Sequence, residues 1–211
     1  FEIEKKQLHE IRQFNLGIQI KEEDGETYSK GWIATTHPDR SVDKELGVYG
    51  DILSRNVMKQ IADFINNDVA TLDGIGSTRT CSDVHDWIQK KDASIMPAGM
   101  AIPPAEVKEY EDINGVKDGQ YGVYVKTHHN KNHPQYKEIA YDVEHGYKPG
   151  YSIEYSPGEY SIIEHDGKSF RFLKTITNFV GYAFATARKI ANPKALITNV
   201  SYKEVEALVE N

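Results

Sequence analysis

The chain has 211 residues, 39% of them apolar, and a formal charge of −7, a size that supports one domain with its own core. No apolar run is long enough for a transmembrane helix, and no charged, apolar, small-residue leader pattern is visible, so neither a membrane span nor a signal peptide is expected. The single cysteine, Cys81, excludes an internal disulfide and a CxxC zinc site, and the acidic balance argues against a nucleic-acid partner.

In chain order, residues 14–21 alternate and predict a strand, Asp24-Gly25 predicts a turn, and residues 30–36 predict a second strand. Residues 37–49 are polar and hold Pro38 and Gly47, which predicts a loop. Apolar residues at Ile52, Leu53, Val57, Ile61, Phe64 and Ile65 predict a helix over 52–65, with Asn66-Asn67 as its stop. Residues 69–79, with Asp73-Gly74 and Gly76-Ser77, predict a mobile loop. Residues 82–94 predict an extended run around His85, and Pro97, Gly99, Pro103 and Pro104 are expected to break regularity.

Residues 106–112 and 120–127 predict a hairpin across the turn at 114–119. Tyr136, Ile139, Ala140 and Val143 fall at helical spacing, so a helix over 134–145 is expected, with Gly146 ending it. Residues 151–155 read as a strand between Pro149-Gly150 and Pro157-Gly158. Residues 160–165 and 169–173 are expected to pair across Asp166-Gly167, and 175–185 to form a further strand. A short helix over 202–209 closes the chain. Many strands with two or three helices imply an α+β fold built on a β-barrel or curled sheet.

Three groups of residues are able to carry chemistry. Ser152 lies in Gly150-Tyr151-Ser152-Ile153-Glu154-Tyr155, and a serine hydroxyl becomes a nucleophile when an imidazole such as His85 takes its proton. Taken alone, a strand serine is more often a solvated hydroxyl and His85 a surface residue. His128, His129 and His133 form a second group, able to bind zinc or nickel if they converge; adjacent residues on a strand point apart, however. The third group is Asp39, Asp43, Glu45 and Asp51, a hard-cation site or simply a solvated loop.

The order of the elements changes these odds. Gly31-Trp32-Ile33-Ala34-Thr35-Thr36 is followed by Asp43, by Gly50-Asp51 with a helix, and by Ser82-Asp83-Val84-His85-Asp86 before Pro97-Ala98-Gly99. A hairpin with Gly122-Val123, a helix ending in Gly, the Ser152 strand, a final strand and Asn192-Pro193-Lys194-Ala195 complete the series. Over roughly residues 14–200 this order resembles the tailed-phage prohead (capsid maturation) protease family, whose fold is shared with the herpesvirus assemblin proteases.

The resemblance implies a single protease domain over 1–211, a curled antiparallel β-barrel with a few surrounding helices, and Ser152 and His85 as nucleophile and base. It departs from the family pattern at Glu154, where many members carry Gly, and on the final strand, where residues 175–187 lack the usual acidic third member. Asn178 is the favoured substitute, with Thr177 and Asp83 as alternatives. Arg188 is the candidate for oxyanion support and the 69–79 loop for a flap over the site.

By the same resemblance, the substrates are the scaffold protein, the scaffolding segment of the major capsid protein and the chain itself, inside the procapsid in the host cytoplasm. No cofactor is required. The oligomeric state stays open between a monomer and the activating dimer of assemblin relatives. Two rival readings are a non-catalytic capsid scaffold or assembly protein of the same fold, and a metal hydrolase built on the His128, His129 and His133 cluster.

Overall fold

A computed structural model describes residues 10–14, 19–23, 26–39, 43–67, 80–83, 97–112, 115–145 and 149–185. Those residues form a mixed α+β fold, mostly strands, with two helices among them. The larger sheet has the order β1 (Glu10–Phe14), β8 (Gly150–Pro157), β11 (Ile176–Ala185), β5 (Thr80–Asp83), β6 (Gly99–Glu111), β7 (Lys117–His129), β3 (Glu26–Thr35) and β2 (Gln19–Glu23). All neighbours in it are antiparallel except β5 and β11. A smaller sheet holds β4 (Asp51–Leu53), β10 (Lys168–Leu173) and β9 (Tyr160–His165), with β4 parallel to β10. No strand pairing closes either sheet among the described residues.

Several predicted elements stand with changed boundaries. The strand expected over 14–21 is divided between β1, which ends at Phe14, and β2, which starts at Gln19. The helix expected from residue 52 starts later. Residues 51–53 are recruited as β4 by β10, and α1 covers Arg55–Asn66. Ser54 sets that start. Its backbone is extended and its Oγ accepts from Val57 N at 3.3 Å, which satisfies one of the orphan amides of the first turn. Asn67 forms the C-cap, as the Asn66-Asn67 stop implies.

The break expected at 97–104 is a strand instead. β6 runs through Pro103-Pro104 by bulging: Ile102 lies opposite Lys126 and Glu106 opposite Tyr124, so four steps on β6 match two on β7. A bulge tolerates proline, which has no N–H to give the ladder. The β6–β7 hairpin and the β9–β10 hairpin form as predicted, the latter with Asp166 and Gly167 at positive φ (49° and 71°). The second helix, α2, is Pro134–Glu144. The predicted loop at 69–79, the predicted terminal helix at 202–209 and most of the extended run at 82–94 lie outside the described residues.

Val57, Met58, Ile61 and Ile65 of α1 and Ile139 of α2 share a buried cluster with Ile33, Val123, Val125, Tyr151, Ile153, Tyr155 and Phe179. Two amide side chains then fasten α1 to strand backbone. Asn66 accepts from Ala105 N (2.7 Å) and donates to Ala105 O (3.1 Å), and Gln60 does the same to Ile176 (2.9 and 3.4 Å). Each amide thus satisfies both backbone groups of one residue, Ala105 within the β6 bulge and Ile176 at the start of β11.

Candidate active site

Strand β8 is the centre of the candidate site. It lies between β1 and β11, and Ser152 stands in a row with Gln13 of β1, Ala183 of β11 and Ser82 of β5. Ser152 and Ser82 are two strands apart, about 10 Å at ordinary sheet spacing. β5 ends at Asp83, one residue past the row of Ser152 and two residues before His85 in the chain. His85 and Arg188 lie outside the described residues.

β8 has two faces. Tyr151, Ile153 and Tyr155 enter the core, whereas Ser152, Glu154 and Ser156 occupy the opposite face. Those three polar residues are buried as well, at 1%, 1% and 4% exposure. Their β11 neighbours are Ala183 opposite Ser152, Gly181 opposite Glu154 and Asn178 opposite Ser156. Gly181 has φ of +151° and sits at a register shift of β11.

The structure places Asn178 four positions along β8 from Ser152, about 13 Å at strand rise. It shares the Ser152 face but does not lie beside Ser152. Thr177, the alternative, donates through Oγ1 to Ser156 O at 3.4 Å.

One serine–histidine contact is visible among the described residues, and it is not the predicted one. His129 Nε2 lies 2.7 Å from Ser29 Oγ, Ser29 Oγ 2.7 Å from the Tyr151 hydroxyl, and Tyr151 donates to Thr127 Oγ1 at 3.2 Å. Thr127 Oγ1 in turn is 2.8 Å from the Tyr182 hydroxyl. Proton accounting orients this chain. Tyr151 has one proton and gives it to Thr127, so Ser29 must donate to Tyr151 and accept from His129 Nε2–H.

His129 is therefore the Nε2–H tautomer and is not a base toward Ser29. Burial, with a smaller contribution from the charge of His128, pushes its pKa down to about 3. The ring stacks on Phe184, with centroids 4.6 Å apart. Ser29 is also fully buried.

His128 faces the other way, half-buried, and bonds Glu26 at 2.8 Å, which lowers the Glu26 pKa. His128 and His129 thus diverge, and no three potential metal ligands converge among the described residues. The carboxylates of the early loop have structural partners. Arg171 Nη2 donates to Asp51 Oδ2 at 2.8 Å and Nε adds bonds of 3.1 and 3.2 Å, all buried. Asp39 Oδ1 accepts from Asp51 N at 2.7 Å, and Asp43 Oδ1 accepts from Glu45 N and Leu46 N.

Sequence reasoning placed Ser152 on its strand but missed the Ser29–His129 pair and the Asp51–Arg171 pair. The only available signal was composition: a strand with Thr27 and Ser29 on its core-facing alternation. No protein-family model, no curated protein and no solved structure matches this chain.

Proposed function

We propose that the chain is a serine endopeptidase of the prohead-maturation kind, with Ser152 as nucleophile and His85 as general base. The observation that carries the proposal is the strand order β8–β11–β5: the Ser152 strand and the strand leading to His85 flank the final strand, with Ser152, Ala183 and Ser82 in one row. The curled-barrel reading draws support from Tyr151, which reaches Ser29 and Thr127 on strands several places away in the sheet order.

In this reading Ser152 Oγ attacks a peptide carbonyl while His85 takes its proton, and His85 then protonates the leaving amine. Water, deprotonated by the same imidazole, hydrolyses the acyl-enzyme. Ser152 itself is almost fully buried. Scaffold, the capsid-protein scaffolding segment and the chain itself are the proposed substrates, in the procapsid interior.

The same burial favours a second reading, a capsid-assembly protein that keeps the fold without the chemistry. A fluorophosphonate probe separates the two. Labelling of wild type but not of Ser152→Ala or His85→Ala supports the peptidase. Equal labelling of wild type and Ser152→Ala places the nucleophile elsewhere, and no labelling of wild type together with no self-trimming by mass favours the assembly protein.

A further inference from the structure

Tyr151 and Tyr182 are the residues next to Ser152 and to its row partner Ala183, and both carry buried hydroxyls. Each hydroxyl is held by a strand outside that pair. Tyr151 crosses the core to Ser29 on β3 (2.7 Å) and Thr127 on β7 (3.2 Å), and Tyr182 meets the same Thr127 at 2.8 Å. Their rings touch edge to face, 5.4 Å between centroids. Two neighbouring strands, β8 and β11, are thus tied at adjacent positions to the opposite wall of the core.

His129 completes the assembly. It donates to Ser29 at 2.7 Å and, through its stack on Phe184, presses on the register partner of Tyr151.

We propose that the hydroxyl chain Ser29–Tyr151–Thr127–Tyr182, anchored by His129, positions Ser152 for reaction. The inference rests on the peptidase reading above. Its physical content is geometric. A strand backbone translates or twists as a unit, so the height of Tyr151 above the core sets the height of Ser152 on the other face. A displacement of about 1 Å at a nucleophile is enough to cost up to a hundredfold in rate. Among polar links, a tyrosine hydroxyl held by two partners has a fixed length, whereas aliphatic packing tolerates sliding. These groups touch neither substrate nor reacting atoms, and so they are positioning residues.

The test uses the purified chain and a fluorophosphonate probe, read as a maximal inactivation rate and an apparent probe affinity. In the labelling step a Ser152 Oγ–P bond forms, the P–F bond breaks, fluoride leaves and His85 takes the hydroxyl proton. Tyr151→Phe is expected to lower the maximal rate about tenfold with probe affinity unchanged, and Ser29→Ala to lower it by a smaller factor.

Tyr136→Phe is the control. It removes a part-buried hydroxyl bond of 3.0 Å to Thr27, outside the hydroxyl chain, while keeping the ring that meets His129 edge-on, and it should leave the rate within about twofold of wild type. If Tyr151→Phe does not fold, Ser29→Ala decides. Wild-type rates in both Tyr151→Phe and Ser29→Ala, with wild type labelled at Ser152, overturn this inference alone. Slowing of all three variants in step with their thermal stabilities also overturns it, since that is general loosening. Absence of label on Ser152 in the wild type removes the peptidase reading and this inference together.

Discussion

On one face of β8, Tyr151, Ile153 and Tyr155 enter the core, and both tyrosine hydroxyls are engaged: Tyr151 with Ser29 and Thr127, Tyr155 with Asp51 at 3.4 Å. On the other face, Ser152, Glu154 and Ser156 are just as far from water although the alternation is polar. Such alternation ordinarily marks a solvated face. Keeping a polar row dry is costly, and Ser156 Oγ is buried with no hydrogen-bond partner among the described residues. The difference teaches that binary patterning locates the strand and its two faces, but burial distinguishes a solvent face from a sequestered one.

The sharpest way to break this comparison is Ser152→Ala. If the polar face is the reactive one, labelling and self-trimming should fall by about 10³-fold or more while the thermal midpoint barely moves. Retained reactivity would make the dry polar row a purely structural feature.

The core face is tested next through its ion pair. Arg171→Ala leaves the Asp51 carboxylate buried without its cation and should cost about 3–5 kcal/mol in chemical denaturation. A loss below about 1 kcal/mol would show that solvent reaches Asp51.

Acid acts on the same face through His129. Its pKa is about 3 when folded against an ordinary value of 6.5, so the unfolded chain binds the extra proton between these values. The stabilisation from keeping this ring neutral is complete above pH 6.5 and is lost as pH falls toward 3. The loss should reach about 2 kcal/mol by pH 5. The difference in unfolding free energy between wild type and His129→Phe, followed from pH 7 to pH 5, measures it. A flat difference contradicts the assignment.

The smallest effect is expected on the polar face. Ser156→Ala removes a buried hydroxyl that has no partner among the described residues, so stability should be unchanged or rise by up to about 1 kcal/mol. A clear loss would reveal a partner and narrow the contrast between the two faces.

Much of the local structure was legible. The β9–β10 hairpin follows from Asp166-Gly167, α1 from its apolar spacing and α2 likewise, because turn chemistry and periodicity act over a few residues. Ser152 could be placed on a strand for the same reason. β4 was not legible. It is three residues long, it runs directly into the Ser54 cap, and its partner β10 lies far along the chain. The position of Asn178 relative to Ser152 was equally hidden, since β11 carries register shifts at two points and no local pattern announces them.

The sequence by itself determined the hairpins, the two helix periodicities and the alternation of β8 that carries Ser152. Tertiary structure alone decided that the polar face of β8 is dry, that Tyr151 crosses to Ser29, and that His129 turns inward while His128 turns out to Glu26. It also decided that Asp51 meets Arg171, 120 positions away. The reason is physical. Dihedral preferences and hydrophobic periodicity are properties of neighbouring residues, whereas burial and hydrogen-bond partnership belong to surfaces that exist only once distant strands have paired.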